Sequence, residues 1–439
     1  MNEGSAGQSL TPIISEEEFI PILEEASANF LSLTGITSGA EEMANKFFYF
    51  TLLKEAEQLE DFLDNHGARS NKRFLFFAEL VACVRNFCLA GFQVHHIMER
   101  YNNYLGGERD LIRRDFEKGA HEAMTYLFKA LSRFNESLRQ EAASLGINVK
   151  PKDIPPDSWK VKISPKLPFT IGGVEAANQE ERLISIAQGY RRIYKRFQEL
   201  ELHRRLRAKS LEDIIPSRIN ETMMAEFEGM LHNVQSEYDT HIKGGSVEAG
   251  NEWSGTLRGL AAIPMHLFDM LNWLSHFYER HENQVRESWA GARVAELVDN
   301  QELLKVITNF GLFFCGRFLA EGNEVCERIL SQYISPIQYE LPIPIPQGFH
   351  ARPSTYVSLV VREHGTDTFL LLDGKKYNCR SVLDLMEAGG ALADQGKTKA
   401  IFEGDKRCLD DIKILSDHNY CEDEDIPSEL NYIRIGRNM

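Results

Sequence analysis

The chain lacks the cysteine spacing of a disulfide framework or a zinc finger. Its cysteines, Cys83, Cys88, Cys315, Cys326, Cys379, Cys408 and Cys421, are odd in number and never spaced CxxC, which points to a reducing compartment. No HxxxH or HExxH spacing occurs either. His95, His96, His276 and His281, near Glu99, Glu279 and Glu282, therefore read as solvated or core-edge histidines, and no metal site is expected. Basic charge is scarce: a formal net charge of −16 argues against nonspecific binding to nucleic acid. The opening residues MNEGSAGQSLTPIISEEE lack the basic and apolar regions of a secretory signal. The most apolar stretches, around GLAAIPMHLF and VITNFGLFFCG, read as too short to span a bilayer. The expectation is a cytoplasmic protein with no membrane insertion and no cofactor.

What is present is a long helical grammar. From about residue 16 to 335, stretches such as KRFLFFAELVACVRNF repeat apolar residues at i, i+3 and i+4. Ser38 with Glu41, and Ser210 with Asp213, have the spacing of helix-start capping boxes. Gly67 and Gly146 each follow a long helical run, where a left-handed cap belongs. Residues 147–178 carry Pro151, Pro155, Pro156, Pro165 and Pro168 and cannot form one helix. They read as a crossover between two halves, 1–146 and 179–335, of an all-α helical bundle region. KGGSVEAGNEWSG, residues 243–255, reads as a long exposed loop. HIMERYNN at 96–103 and HFYERHEN at 276–283 share H-x-x-E-R-x-x-N, which leaves a distant duplication open. A helix over 182–209 is dense in Lys and Arg, with Arg191, Arg192, Lys195 and Arg196 at its middle. It reads either as a solvated face or as a dock for an acidic partner, including this chain's own C-terminal part, whose end runs CEDED.

After residue 335 the period changes. ELPIPIP alternates, TDTFLLLDGKKYNC has a strand–DG–strand form, and TKAIFEG is a further short strand. PSTYVSLVVREHG, SVLDLMEAGG and DKRCLDDIKILSDHNY are helical between and after them. The order strand, helix, strand, strand, helix, strand, helix fits one antiparallel sheet with helices on one face. Pro342, Pro344 and Pro346 occupy alternate positions of the first strand, which makes it a sheet edge. The expected architecture is multidomain: the helical region, an α+β domain over 336–420, and an acidic tail over 421–439.

One histidine stands out in PQGFHARPSTY. Pro353 is suited to the first turn of a helix, which places His350 just before it. The amides of Ala351 and Arg352, together with the positive end of the helix, can then meet an anion, and Arg352 adds charge. A neutral imidazole is a nucleophile at ordinary pH. His350 can equally be a plain cap. Ser381 before VLDLMEA has the spacing of an N-cap as well.

Residues 340–420 resemble HPr, the small phosphocarrier of the bacterial phosphoenolpyruvate-dependent sugar phosphotransferase system. GFHARPS, DGK, RSVLDLM and FEGD carry the likeness, and a serine follows the histidine 31 positions on, at Ser381. The resemblance implies a βαββαβα open-faced sandwich. It implies His350 as the phosphoryl-accepting residue, with Arg352 and the Ala351 and Arg352 amides around the phosphate. Enzyme I is the implied donor, with a downstream acceptor that the sequence leaves unnamed. Ser381 falls on the family's phosphorylatable serine, which implies a serine kinase as a further partner. The family's docking surface maps to Val382, Leu383 and Met386, with Leu359 on the first helix. Leu359 replaces a lysine that many members carry, and Asp384 and Glu387 make this face more acidic. Those departures motivate an alternative, a non-catalytic interaction protein that uses the fold as a docking surface. No family likeness is read for residues 1–335, where an enzyme or ligand sensor also stays open.

Overall fold

The computed structural model describes residues 13–35, 44–105, 110–148, 178–202, 204–206, 214–215, 217–281, 289–333, 336–422 and 425–433. The two capping boxes, and the proline-rich crossover from residue 149 to 177, lie outside them.

Apolar residues at helical spacing build α1 (Glu16–Thr34), α2 (Lys46–Asn65), α3 (Leu75–Leu105) and α4 (Asp110–Ser144) before the crossover. After it come α5 (Gln179–Gln198), α6 (Glu221–His241), α7 (Ser246–Gly250), α8 (Ser254–His281), α9 (Trp289–Ala295), α10 (Asn300–Lys305) and α11 (Phe313–Tyr333). A π-helical stretch, Val306–Leu312, joins the last two. Helices from both halves share one hydrophobic core running from Phe19 to Leu330. Gly67 and Gly146 do take left-handed backbone, at φ +70° and +85°.

At the centre, α3 and α8 lie antiparallel and close. A Cβ on Gly259 would stand 2.0 Å from the carbonyl oxygen of Tyr104, so only glycine allows this approach. Pro264 interrupts α8 and has no N–H to give the carbonyl four residues back, that of Leu260. The buried hydroxyl of Tyr190 on α5 reaches that carbonyl at 3.0 Å, and the carbonyl of Phe318 on α11 at 3.1 Å. One side chain thereby ties α5 to the bundle.

Several expectations need correction. Residues 243–255 are not a long loop. The Glu248 carboxylate accepts from the Gly244 amide at 2.6 Å and from the Tyr238 hydroxyl at 2.7 Å, which folds the segment into α7 and leads straight to α8. The basic helix ends at Gln198, in a turn where Glu201 is left-handed, rather than at 209. Two helical stretches, Leu75–Leu105 and Asn300–Tyr333, are in fact long and apolar enough to cross a bilayer, and the second contains VITNFGLFFCG. Most of each is buried inside the protein, 78% and 72% of the apolar window, as core helices of a large bundle are. All seven cysteines are buried thiols.

The C-terminal part has its own core, from Leu341 to Ile433. It runs β1 (Ile337–Pro342), α12 (Ala351–His364), β2 (Phe369–Leu372), β3 (Lys375–Asn378), α13 (Val382–Asp394), β4 (Lys399–Gly404) and α14 (Lys406–Asp417). The four strands form one antiparallel sheet in the order β1-β4-β2-β3, so β1 is an edge. It ends at Pro342; Pro344 and Pro346 belong to the turn beyond. Asp373 and Gly374 both have positive φ, the two-residue turn that the DG pair favours. Tyr377, Leu370 and Phe402 align across the sheet and are buried, whereas Lys376, Leu371 and Ile401 line the other, open face. The α13 helix runs past Gly389 and Gly390, the last residues of the helical run SVLDLMEAGG, to Asp394. A Cβ on Gly389 would stand 2.8 Å from the Phe349 carbonyl, so that glycine marks close packing rather than a stop. The tail read from 421 onward is partly core: Cys421, Leu430 and Ile433 are buried in it.

The two cores meet along α5, whose basic residues dock this chain's own C-terminal part. Arg191 is nearly buried and reaches Asp367 at 3.3 Å, Glu327 at 3.4 Å and Asn323 at 3.2 Å. Gln188 donates to Asp405 at 2.9 Å, and Lys195 stands 3.7 Å from Asp367. The acidic partners among the described residues are Asp367 in the α12–β2 turn and Asp405 at the start of α14. Gly365 caps α12 at φ +65°, and a Cβ there would meet the Gln188 carbonyl at 2.8 Å.

Candidate functional site

His350 occupies the N-cap position of α12, with extended backbone and no capping hydrogen bond from its side chain. The imidazole is thus not spent on the helix. Its placement is set by its neighbours. Gly348 takes φ +65°, a conformation that favours glycine, and the His350 amide donates to its carbonyl at 2.8 Å. Phe349 is buried edge-on against Phe402 and Tyr420, with ring centroids 5.9 and 5.2 Å away. One side of the turn is anchored in the core while the next residue points out.

The Nε2 atom of His350 lies 2.9 Å from Oε1 of Glu422. The two atoms do not form a hydrogen bond, so the contact is one of proximity. Both atoms are buried, whereas 31% of the imidazole side chain remains exposed. The exposed part of the side chain therefore lies away from Nε2. Glu422 thus occupies the Nε2 side of the ring. Ser354 donates its amide to the His350 carbonyl at 3.2 Å, and the Ala351 and Arg352 amides have no partner among the described residues. Such first-turn amides are ready to meet an anion. Arg352 is exposed and makes no ion pair among the described residues. The assembly can present a nucleophilic nitrogen beside anion-binding groups.

Ser381 caps α13. Its oxygen accepts from the Asp384 amide at 3.2 Å and its hydroxyl donates to the Asp384 carboxylate at 2.8 Å. A phosphate on this oxygen would face that carboxylate. Leu383 is 76% exposed and Met386 39%, forming an apolar step on the outside of α13. Val382 is half-buried, and Leu359 packs partly against the core rather than standing free.

Glu422 was not singled out from the sequence. The only signal was its acidic run directly after the last helix, and nothing local says that the run folds back.

The histidines of the helical part are held by polar neighbours. His96 bonds Lys46 at 2.6 Å and Tyr104 at 3.1 Å, and His276 bonds Glu221. Burial pushes His95, His96 and His281 down to about 4. No group of three potential metal ligands occurs among the described residues. Comparisons with family models, with curated proteins and with solved structures found no match.

Proposed function

We propose that this chain is a phosphocarrier or phosphorylation-responsive regulator of a phosphotransferase system, with an HPr-like C-terminal domain whose His350 accepts the phosphoryl group. The supporting observation is the uncapped imidazole at the head of α12, with Nε2 shielded by Glu422 and part of the side chain open. The Nδ1 lone pair attacks phosphorus, and the bond from phosphorus to the donor breaks with its electrons leaving on the donor. The ring becomes a phosphoimidazolium whose positive charge lies beside the Glu422 carboxylate. The α12 amides and Arg352 take the phosphate oxygens. Such transfer asks mainly for positioning and charge stabilisation. Onward transfer runs the same step in reverse toward an acceptor.

The test is incubation with enzyme I and phosphoenolpyruvate, followed by assay for acid-labile, base-stable phosphate. Label on the wild type and none on His350→Ala is expected. No label on the wild type, or equal label on both, refutes the reading.

The acidic face of α13 favours a second reading, a docking protein without phosphoryl transfer. Glu387 is held by Lys375 at 2.6 Å, and Asp384 is tied to the cap beside the exposed Leu383. Under that reading partner capture survives His350→Ala and is lost in Leu383→Glu.

A further inference from the structure

The helical body holds a cavity of about 440 Å³ that the chemistry at His350 does not use. It lies where α5, α6 and the C-terminal end of α12 meet, so it opens on the seam between the two cores. Ile186, Ile193 and Val234 form a buried apolar floor. Gly189, without a side chain, leaves the middle of that floor open. Arg192 hangs over it. Its Nη1 donates to the carbonyl of Glu363, one of the last of α12. Its Nη2 lies 3.7 Å from where a Cβ on Gly189 would stand, on the cavity side.

The charges around the cavity are unevenly matched. Arg196 is paired with Glu226. The rim acid Glu237 faces Arg182 at 3.9 Å and His241 at 3.5 Å. No carboxylate among the described residues stands within ion-pair distance of Arg192, which bonds only a backbone carbonyl. Glu363 also lines the cavity, but its carboxylate makes no ion pair with Arg192 among the described residues, so the site offers an apolar floor and a guanidinium whose Nη2 has no counter-charge.

We propose that this cavity binds a small monoanion with an apolar body, of the class of a medium-chain carboxylate, with Arg192 as its charge partner. The volume is that of a small-molecule site, where apolar walls take the ligand body and a few polar groups orient it. A guanidinium has five N–H donors in a fixed fork. Arg192 therefore keeps Nη1 on Glu363 while Nη2 meets the anion, and the ligand strengthens the tie between α5 and α12. An inorganic anion lacks the body that the floor would cover, and a neutral alcohol lacks the charge.

Calorimetric titration of the full chain with octanoate tests this, with 1-octanol and inorganic phosphate as comparators. Saturable one-to-one binding of octanoate is expected, with 1-octanol at least tenfold weaker and phosphate silent over the same range. Arg192→Gln should weaken octanoate at least tenfold. Gly189→Leu places a side chain in the open floor of a helix that tolerates leucine, and should abolish binding while the melting temperature holds. The proposal is overturned by absence of saturable octanoate binding, by equal affinity for 1-octanol, or by unchanged octanoate affinity in the two variants. His350→Ala should bind octanoate as the wild type does, which keeps this result separate from the phosphoryl-transfer test.

Discussion

Tyr190 carries a hydroxyl to the place where Pro264 has removed an N–H. Tyr190→Phe should therefore orphan the buried Leu260 carbonyl and destabilise the fold by about 1–3 kcal/mol. In a Pro264→Ala background, where alanine restores the helical donor, the same change should cost clearly less. Urea denaturation of the four proteins measures the difference, and equal losses in both backgrounds would remove the argument. At the other end of the chain, Glu422→Gln takes the charge from beside Nε2. Under the proposed function it should slow phosphoryl acceptance by His350 roughly three- to tenfold, since a partly buried charge contact contributes about 1 kcal/mol. Initial labelling rates decide this. The position of His350 was readable in the sequence because Gly348 and Pro353 act locally on the backbone. Glu422 was not, because its approach depends on a chain reversal after α14.

Among the elements, the C-terminal strands were legible because their signals are short-range: alternation in β1, the Asp373–Gly374 turn, the period change at α12. Helix lengths were less so. The helical run SVLDLMEAGG extends to Asp394 and the basic helix ends at Gln198, since neither close packing against Phe349 nor the turn at Glu201 leaves a local mark. Gly365 joins two demands in one residue, left-handed backbone and contact with α5. Gly365→Ala should cost about 1–2 kcal/mol from the backbone alone, and more once the Gln188 carbonyl is met at 2.8 Å. Limited proteolysis between residues 334 and 350 should become faster in this variant. Unchanged cleavage would mean that the α5 seam does not hold the C-terminal part.

For the whole molecule, buried imidazoles set a pH dependence. His95, His96 and His281 are pushed down to about 4 and His266 to about 3 by burial, against an ordinary value of 6.5. From pH 6.5 down to about 4 the unfolded chain binds more protons at these sites than the folded chain. Stability must therefore fall on acidification, by up to about 1.4 kcal/mol per pH unit for each histidine. Glu60, Glu141, Glu228, Asp269 and Glu279, whose carboxyls burial raises, act in the opposite sense because the folded state protonates them first. On acidification from pH 7.5 to 5 the unfolded imidazoles, with an ordinary value of 6.5, take up protons before any carboxyl of ordinary value does, so urea midpoints should drop over that range. A flat profile would contradict the burial of these rings.

The seam grips α12 at Glu363 and Gly365, while His350 stands at the helix's other end. Fourteen residues at helical rise make a strut of about 20 Å. Val357, Val360 and Val361 bury the strut in the C-terminal core, so strut and core swing together as one lever about the seam. A tilt of roughly ten degrees about the α5 contacts would carry the imidazole about 3–4 Å, more than the length of a hydrogen bond. The cavity beside Arg192 sits at the pivot of that lever, where small displacements have the longest reach.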